Sequence, residues 1–212
     1  MYLPPLFRED RLEAQHAAMR AHPLGLLITC AAGGLIANPV PCLIDEKAGS
    51  FGTLKAHLAR ANPQLAELRV APECLVVFQG AQAYVSPAWY ETKRETGKVV
   101  PTWNYVMVHA WGRPRVIDDA AWLRQQIGEL TDKMEAGSKA PWDVDDAPAD
   151  FIAAQIRGIV GVEIEITRIE GKWKVSQNRP LADRQGVVAG LRELGSEAAS
   201  AMANEVQAKF QE

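Results

Sequence analysis

The sequence predicts a mainly β domain, an antiparallel barrel with peripheral α-helices. Three observations support this class. Short apolar runs outnumber the segments with helical periodicity, most neighbouring runs are separated by short turns, and one run alternates cleanly between apolar and polar side chains. Short connections of this kind join antiparallel neighbours, so the strands are expected to close into a barrel with helices at its edge.

A helix and a β-hairpin are the first predicted elements. Residues 8–21 carry spaced apolar side chains, and this pattern stops before Pro23. The two apolar runs that follow are separated by a pair of glycines, which is typical of a hairpin turn. These runs are Gly25–Cys30 and Leu35–Ile44.

The middle of the chain predicts further strands joined by glycine turns. Phe51–Leu58 is a predicted strand. A turn at Gly80 is expected between Cys74–Phe78 and Ala83–Val85, and a turn at Gly112 between Thr102–Trp111 and Arg113–Ile117. Asn62 is expected to cap a short helix with Pro63 in its first turn. Residues 86–98 show no periodicity, so they predict an ordered loop.

Helices and one alternating strand are predicted for the last third. Asp118 or Asp119 caps a helix through Met134, and Ala149–Arg157 forms a short helix after a polar loop. Val160–Arg168 alternates as a half-exposed strand, and Gly171 turns it into Trp173–Ser176. Residues 185–212 are rich in alanine. We therefore divide the chain into a β domain with an N-terminal helix, residues 1–184, and a C-terminal helical arm, residues 185–212.

Charge argues against strong DNA binding. The 212 residues carry a net charge of -3 and give a pI of about 5.9. Phosphate contacts supply most of the affinity of a protein for duplex DNA, and they require a basic surface. The sequence therefore predicts that the protein alone binds duplex DNA weakly or not at all.

Three cysteines, an odd number without a CxxC spacing, give no disulfide framework. Cys30 and Cys74 lie among Leu, Ile and Val, and are expected to be buried, reduced thiols. The first ten residues lack a cationic start followed by an apolar run, and no apolar stretch approaches ~18 residues. We therefore expect a cytoplasmic protein.

Four clusters combine aromatic rings, amides and cations near predicted strand ends: His57–Pro63, Tyr84–Tyr90, Val100–Tyr105 and Lys174–Arg179. A core needs none of these polar groups, since a buried amide or guanidinium must find a partner. Jointly they suit a flat, polar and anionic cofactor. The candidate residues are His57, Arg60, Asn62, Trp89, Tyr90, Lys93, Thr102, Trp103, Asn104, Tyr105, Gln177, Asn178 and Arg179.

Each class of side chain has a separate role in that hypothesis. The rings of Trp89, Tyr90 and Trp103 can stack on an isoalloxazine. The amides of Asn104, Gln177 and Asn178 offer donors and acceptors to its pyrimidine edge. Cations suited to a phosphate are Arg60, Lys93 and Arg179.

Structural explanations remain open for several of these residues. Arg60 could cap a helix or pair with Glu67, and Asn62 is sufficiently explained by a helix start. His57 and His109 could be hydrogen-bonded structural histidines. His16 and His22 are expected at the surface. The dinucleotide, P-loop, zincin and hydrolase signatures GxGxxG, GxxxxGK[ST], HExxH and GxSxG are all absent, and no nucleophile with a local base stands out.

At these clusters the sequence resembles the PaiB family, the FMN-binding negative transcriptional regulators. The similarity begins with the opening MYLPPLF and continues through His57–Pro63 and Tyr84–Tyr90. VPTWNY, followed by His109, and SQNR, followed by Asp183-Arg184 and Gly186-Val187, are its most specific parts.

The resemblance implies an FMN-binding split β-barrel of the antiparallel Greek-key type. It also implies FMN bound at a homodimer interface and a role in transcriptional repression. An enzyme is the alternative, a flavin-dependent oxidoreductase of the split-barrel class, because flavin chemistry needs no protein nucleophile. A haem-handling split barrel with His57 or His109 as axial ligand is the other alternative. A regulator without turnover is the leading hypothesis.

Overall fold

A computed structural model of the protein describes residues 1–31 and 33–210. The described residues form eight β-strands in one sheet. In chain order these are β1 (Arg8–Glu9), β2 (Leu24–Ala31), β3 (Gly34–Pro41), β4 (Leu43–Asp45), β5 (Thr53–Ala59), β6 (Cys74–Val85), β7 (Thr102–Ile117) and β8 (Ile159–Lys174).

Seven α-helices accompany the sheet within the described residues: α1 (Leu12–Ala21), α2 (Gln64–Leu68), α3 (Glu91–Thr96), α4 (Ala120–Glu135), α5 (Ala149–Arg157), α6 (Leu181–Glu193) and α7 (Glu197–Ala208). Short 3-10 turns lie at Pro5–Phe7, Pro87–Trp89 and Val144–Asp146. A mainly antiparallel sheet with peripheral helices is the class that the sequence predicts.

Strand pairing follows the order β3-β2-β6-β7-β8-β5-β4, with β1 also paired to β8. The predicted hairpin is confirmed, because β2 and β3 pair antiparallel from Leu24↔Pro41 to Ala31↔Gly34. β5 pairs antiparallel with β8, with Leu54 opposite Ile164. In β8 the predicted alternation is also confirmed: Val162, Ile164 and Ile166 are buried.

Two compact units make up the chain. The first unit comprises Met1–Ala18, Gln79–Val108 and Glu170–Glu212, and the second comprises Met19–Phe78 and His109–Ile169. In the first unit α6 packs against α7. In the second, Leu123 of α4 packs with Val144, Ile152 and Ile156. The predicted division at residue 184 falls inside α6 and stays a prediction.

Three glycine turns that the sequence predicts are wrong, because Gly80, Gly112 and Gly171 lie inside β6, β7 and β8. Close backbone approach explains two of them. A Cβ at Gly112 would lie 2.4 Å from the Glu165 carbonyl oxygen, and a Cβ at Gly171 would lie 2.7 Å from that of Glu9. At these two positions glycine is needed because a neighbouring backbone lies too close for a side chain. The glycines therefore mark close packing within the sheet and not turns.

Several predicted boundaries also change. The run Leu35–Ile44 is divided between β3 and β4, and the helix expected at 8–21 begins at Leu12 because Arg8–Glu9 pairs with β8. The loop expected at 86–98 contains α3, which ends at Gly97 with a φ of 68°. Asp119 caps α4, as one of the two predicted alternatives, by accepting from the Trp122 N–H at 2.8 Å.

Two burial predictions are wrong. His16, expected at the surface, is buried on the inner side of α1. Cys30, expected in the core, is an exposed free thiol near the end of β2. An antiparallel sheet can expose one face to water, so an apolar run alone does not show which residues are covered. Cys74 is buried as predicted, and burial raises its pKa to about 12.

Candidate functional site

The predicted site residues are divided between the two units. His57, Arg60 and Asn62 belong to the second unit. Ten belong to the first unit: Trp89, Tyr90, Lys93, Thr102, Trp103, Asn104, Tyr105, Gln177, Asn178 and Arg179. We describe each group within its own unit.

His57, on β5, is held by α4. Its Nδ1 lies 2.7 Å from Oε1 of Gln126, a buried side chain. The contact couples the ring to α4, and the arrangement is that of a hydrogen-bonded structural histidine.

Arg60 and Asn62 have local partners. The Arg60 guanidinium donates from Nη1 and Nη2 to the two Asp118 carboxylate oxygens, at 2.8 and 2.7 Å. It also donates to the backbone carbonyls of Arg157 and Ile159. Asn62 accepts from the Gln64 N–H at 2.9 Å and so stabilises the start of α2. Arg60 therefore pairs with Asp118, and not with Glu67, which the sequence offers as a partner.

The two most specific sequence motifs meet in the first unit. Asn104, from VPTWNY, donates from Nδ2 to Oγ of Ser176, from SQNR, at 2.8 Å, and both side chains are buried. Asn104 Oδ1 has no hydrogen-bond partner among the described residues. A buried acceptor without a donor is costly, so this atom is available to a ligand or a water.

Gln177 shapes the turn after β8. Its Oε1 accepts from the Val175 N–H at 2.8 Å, and its Nε2 donates to the Trp173 and Leu6 carbonyls. The preceding Ser176 has a φ of 65°, a left-handed conformation that is unusual for a residue with a side chain. The amide of Gln177 is thus occupied by backbone groups. The amide of Asn178, the next residue, is exposed.

Arg179 lies over the buried ring of Tyr90, with its guanidinium carbon 4.7 Å from the ring centroid. Burial raises the pKa of Tyr90, and the charge of Arg179 opposes that rise. Nearby, the fully buried Asp183 accepts from the Thr92 N–H and hydroxyl, both at 2.9 Å, and fixes α3.

Trp89 is covered by α6. A Cβ at Gly190 would lie 2.4 Å from three atoms of the indole, and a Cβ at Gly186 would lie 1.9 Å from the Trp89 carbonyl oxygen. Two glycines on one side of the helix therefore make room for this residue. The indole packs against α6, while Lys93 on α3 is exposed.

Trp103 and Tyr84 form an exposed aromatic pair. Their rings meet edge to face with centroids 6.2 Å apart, and the side chains are 53% and 47% exposed. Large exposed rings of this kind offer stacking surface to a planar ligand. Trp103 is thus the predicted aromatic residue whose ring is most open to a ligand.

A lysine pair lies beside the same strand. Lys172 and Lys174 are two residues apart on β8, and their ammonium groups lie 5.3 and 5.8 Å from the ring centroid of Tyr105. Lys174 donates to the Thr102 hydroxyl and, at 2.6 Å, to the Trp103 carbonyl. Burial and the nearby charge of Lys172 lower the pKa of Lys174.

These residues fit a flavin mononucleotide. The first unit combines an exposed indole, an unpartnered buried amide oxygen, an exposed amide and several cations on residues that the motifs supply. Tyr84, Lys172 and Lys174 are absent from the predicted set. Sheet periodicity could have found the lysines, because residues i and i+2 share one face of a strand.

Within the described residues no helix is long and apolar enough to cross a membrane.

The family model described as "Putative FMN-binding domain" matches residues 1–168. An uncharacterized protein of Emericella nidulans is 34% identical over an alignment that covers 98% of this chain and 96% of the relative. Protease synthase and sporulation protein PAI 2 of Bacillus subtilis is 28% identical over 99% of this chain and 98% of its own length.

Solved structures share the fold at low sequence identity. The flavocytochrome Anf3 from Azotobacter vinelandii matches 79% of this chain and 69% of its own, with a TM-score of 0.59 and 15% identity. A FAD and heme binding protein from Mycobacterium smegmatis gives a TM-score of 0.58 at 15% identity, over 79% of this chain and 73% of its own. The predicted split-barrel fold is confirmed.

The family match also confirms FMN as the predicted cofactor and the resemblance to the PaiB protein of Bacillus. Because the match covers well over half of the chain, the protein belongs to the FMN-binding domain family.

Proposed function

We propose that this protein is an FMN-binding regulatory protein that acts without catalytic turnover. The observation that carries the proposal is the meeting of the two specific motifs in one unit, where Asn104 donates to Ser176 from β7, the strand that also carries the exposed indole of Trp103. The name of the Bacillus relative, a protease synthase and sporulation protein, supports a regulatory role.

The residues of the first unit divide the work of holding the cofactor. Trp103 and Tyr84 present ring surface to the isoalloxazine. The exposed Asn178 amide can meet its polar edge, and Arg179 contributes positive charge. A flavin contact of Asn104 stays a prediction, because the buried Asn104 and the exposed Trp103 are adjacent on β7 and point to opposite faces of the strand. The flavin contacts of the other predicted residues stay predictions: His57, Arg60, Asn62, Trp89, Tyr90, Lys93, Thr102, Tyr105 and Gln177.

Bound FMN supplies an oxidisable and reducible ring, which is chemistry that the protein does not need to provide itself. The described residues hold and orient that ring. The strained turn at Ser176 is fixed by Asn104, and the buried Asp183 fixes α3. A change at the ligand would therefore act on β7 and on the turn after β8, which carry the residues proposed to hold it.

A homodimer is part of the proposal. Tyr, Trp and other large apolar side chains are enriched in the buried centres of protein interfaces. In the first unit Val100, Trp103 and Tyr84 are 65%, 53% and 47% exposed. Sedimentation at micromolar concentration should give the mass of a dimer, and a monomer mass would count decisively against this part.

Regulation is expected to be indirect, through FMN or a partner. The net charge of -3 indicates that the protein lacks the excess of basic side chains that binding to DNA phosphates requires. A mobility-shift assay on the upstream region of the protein's own gene tests this over a salt series, with and without FMN. A scrambled duplex of equal length is the control. We expect weak binding that does not distinguish the two duplexes. Sequence-specific, nanomolar binding at physiological salt would establish a direct repressor instead.

Turnover and haem binding are separated by two spectroscopic measurements. The absorbance of freshly purified protein should show flavin bands without a Soret band. With excess FMN and NADH or NADPH, the rate of nicotinamide oxidation should equal that of free FMN. A Soret band would favour haem binding through His57 or His109, and a saturable rate above free FMN would favour the oxidoreductase.

A further inference from the structure

A pocket of about 290 Å³ lies within the first unit, where the N-terminal segment and the end of β8 meet α6 and the end of α7. Its volume is at the lower end of the ~300–1,000 Å³ that small-molecule sites occupy, so it suits a small ligand. The residues that line it are Leu6, Arg8, Trp173, Gln177, Arg184 and Lys209.

The charged side chains in this lining are all cations. Arg8, Arg184 and Lys209 line the pocket, whereas no carboxylate of the described residues does. Arg8 pairs with Asp10 at 2.8 Å. The Lys209 ammonium lies 3.7 Å from a carboxylate oxygen of Glu9. Arg184 forms no ion pair with a carboxylate in the part of the chain that the structure describes, so it gives the pocket an excess of positive charge.

Arg184 also has unused hydrogen-bonding capacity. A guanidinium carries five N–H donors. Among the described residues this half-buried side chain makes one hydrogen bond, from Nη1 to the Lys209 carbonyl at 2.6 Å, and its Nε is buried without a partner. Buried donors without partners are costly. A carboxylate in the pocket would supply both acceptors and the missing negative charge, because it matches a guanidinium in shape and charge.

The pocket lies away from the surface that is proposed to hold the flavin ring. Successive side chains of a strand point to opposite faces, so Trp173, which lines the pocket, points away from the side of β8 that carries Lys174. Lys174 is the neighbour of β7, since it donates to the Thr102 hydroxyl and the Trp103 carbonyl. Trp173 instead donates from Nε1 to Glu205 of α7, at 3.1 Å. A ligand of the pocket therefore does not need a bound flavin.

We propose that this pocket binds a small organic carboxylate, with Arg184 as its anchor. Arg8 and Lys209 add positive charge, and Leu6 and Trp173 supply apolar surface for the organic part of the ligand. That apolar surface favours an organic acid over an inorganic anion. The carboxylate would be a second small molecule that the protein recognises, bound independently of the flavin.

The probes are benzoate and its uncharged counterpart benzamide. Calorimetry follows their titration into the wild type, Arg184→Gln, Arg8→Gln and the control Arg192→Gln. Arg192 also lies on α6, but it is exposed and outside the pocket, where it binds Gln207. Losing a hydrogen bond between charged groups should weaken benzoate binding by roughly tenfold or more in Arg184→Gln.

The other proteins set the scale of that loss. The exposed Arg8 should contribute less, so Arg8→Gln should weaken benzoate binding by roughly two- to fivefold, and Arg192→Gln by less than about twofold. Benzamide should bind the wild type at least about tenfold more weakly than benzoate, because it lacks the charge. If Arg184→Gln does not fold, the comparison of Arg8→Gln with Arg192→Gln decides.

Wild-type affinity for benzoate in both pocket variants, or equal affinity for benzoate and benzamide, would overturn the inference. Absence of saturable benzoate binding by the wild type at up to about 10 mM would do the same. A second series adds excess FMN, and benzoate affinity should not change. Competition with FMN would assign the pocket to the flavin site and so contradict the inference. Because the first series contains no flavin, a failure of flavin binding would count against the proposed function alone.

Discussion

Asn104 donates a 2.8 Å hydrogen bond to Ser176, and Ser176 is the one described non-glycine residue with a positive φ, 65°. The contact joins the middle of β7 to the turn after β8. A left-handed backbone at a residue with a side chain is held only when its surroundings fix it. The buried amide of Asn104 contributes to this, together with the backbone contacts of Gln177, the next residue.

Removing this contact should destabilise the protein. Ser176→Ala leaves the Asn104 amide without its acceptor in a buried place and keeps the strained backbone. We expect the free energy of unfolding to fall by about 1–3 kcal/mol, the usual cost of an unsatisfied buried donor. Chemical denaturation measures it.

Ser138→Ala is the matched control, because Ser138 is exposed. Its unfolding free energy should stay within about 0.5 kcal/mol of the wild type. If Ser176→Ala matched the control, the contact would not stabilise the turn.

Glycines of α6 should not tolerate a methyl group. A Cβ at Gly190 would lie 2.4 Å from the Trp89 indole, so Gly190→Ala must displace the ring or the helix. Overpacking of this kind costs about 1–3 kcal/mol. We expect a lower melting temperature in a thermal scan.

Gly128→Ala in α4 is the control with the opposite sign. The nearest atom to its added Cβ is the flexible Arg124 Nη1 at 3.4 Å. Alanine favours a helix interior over glycine by up to about 1 kcal/mol, so this variant should be more stable than the wild type. Equal stabilisation by both substitutions would show that Trp89 does not pack on α6 as described.

The free energy of unfolding should depend on pH at high pH because of Lys174. Burial and the charge of Lys172 lower the pKa of this lysine below its ordinary value of 10.5. Between the lowered pKa and 10.5 the unfolded chain binds the proton and the folded chain does not, so the unfolding free energy gains a rising contribution with pH. Below the lowered pKa the full cost of the buried charge is present.

Lys174→Met removes that contribution. We expect the stability of Lys174→Met relative to the wild type to be highest near neutral pH and to fall as the pH rises towards 10.5. Denaturation curves of both proteins at a series of pH values give this difference, in which titrating groups that do not interact with Lys174 cancel. A difference that is independent of pH, or that grows with pH, would contradict the assignment.

Strand content and the hairpin could be predicted from the sequence because they depend on local patterns. Alternation in β8 indicates which of Val162 and Glu163 faces the core, and a glycine pair indicates a turn. Glycine alone is ambiguous, since Gly112 and Gly171 serve close backbone approach. That approach is a property of the neighbouring strand, and one segment of sequence does not contain it.

The candidate site could be predicted as a set of motifs but not as a geometry. The sequence indicates that Asn104 and Ser176 belong to functional clusters, yet not that they bind each other. It treats Arg60 and Gln177 as available, whereas Asp118 and backbone groups occupy them. The sequence also does not place Lys172 and Lys174 beside the ring of Tyr105, because that neighbourhood exists only in the folded structure.

Titration of FMN into the apo-protein, followed by flavin fluorescence, tests the central claim most directly. The comparison is between the wild type, Trp103→Leu and the control Trp142→Leu, whose indole is also exposed, at 45%, but lies in the second unit. We predict saturable quenching in the wild type and in Trp142→Leu. Losing the stacking surface should weaken FMN binding in Trp103→Leu by up to roughly tenfold. Absence of saturable binding in the wild type, or identical affinities in all three proteins, would contradict a flavin site at Trp103.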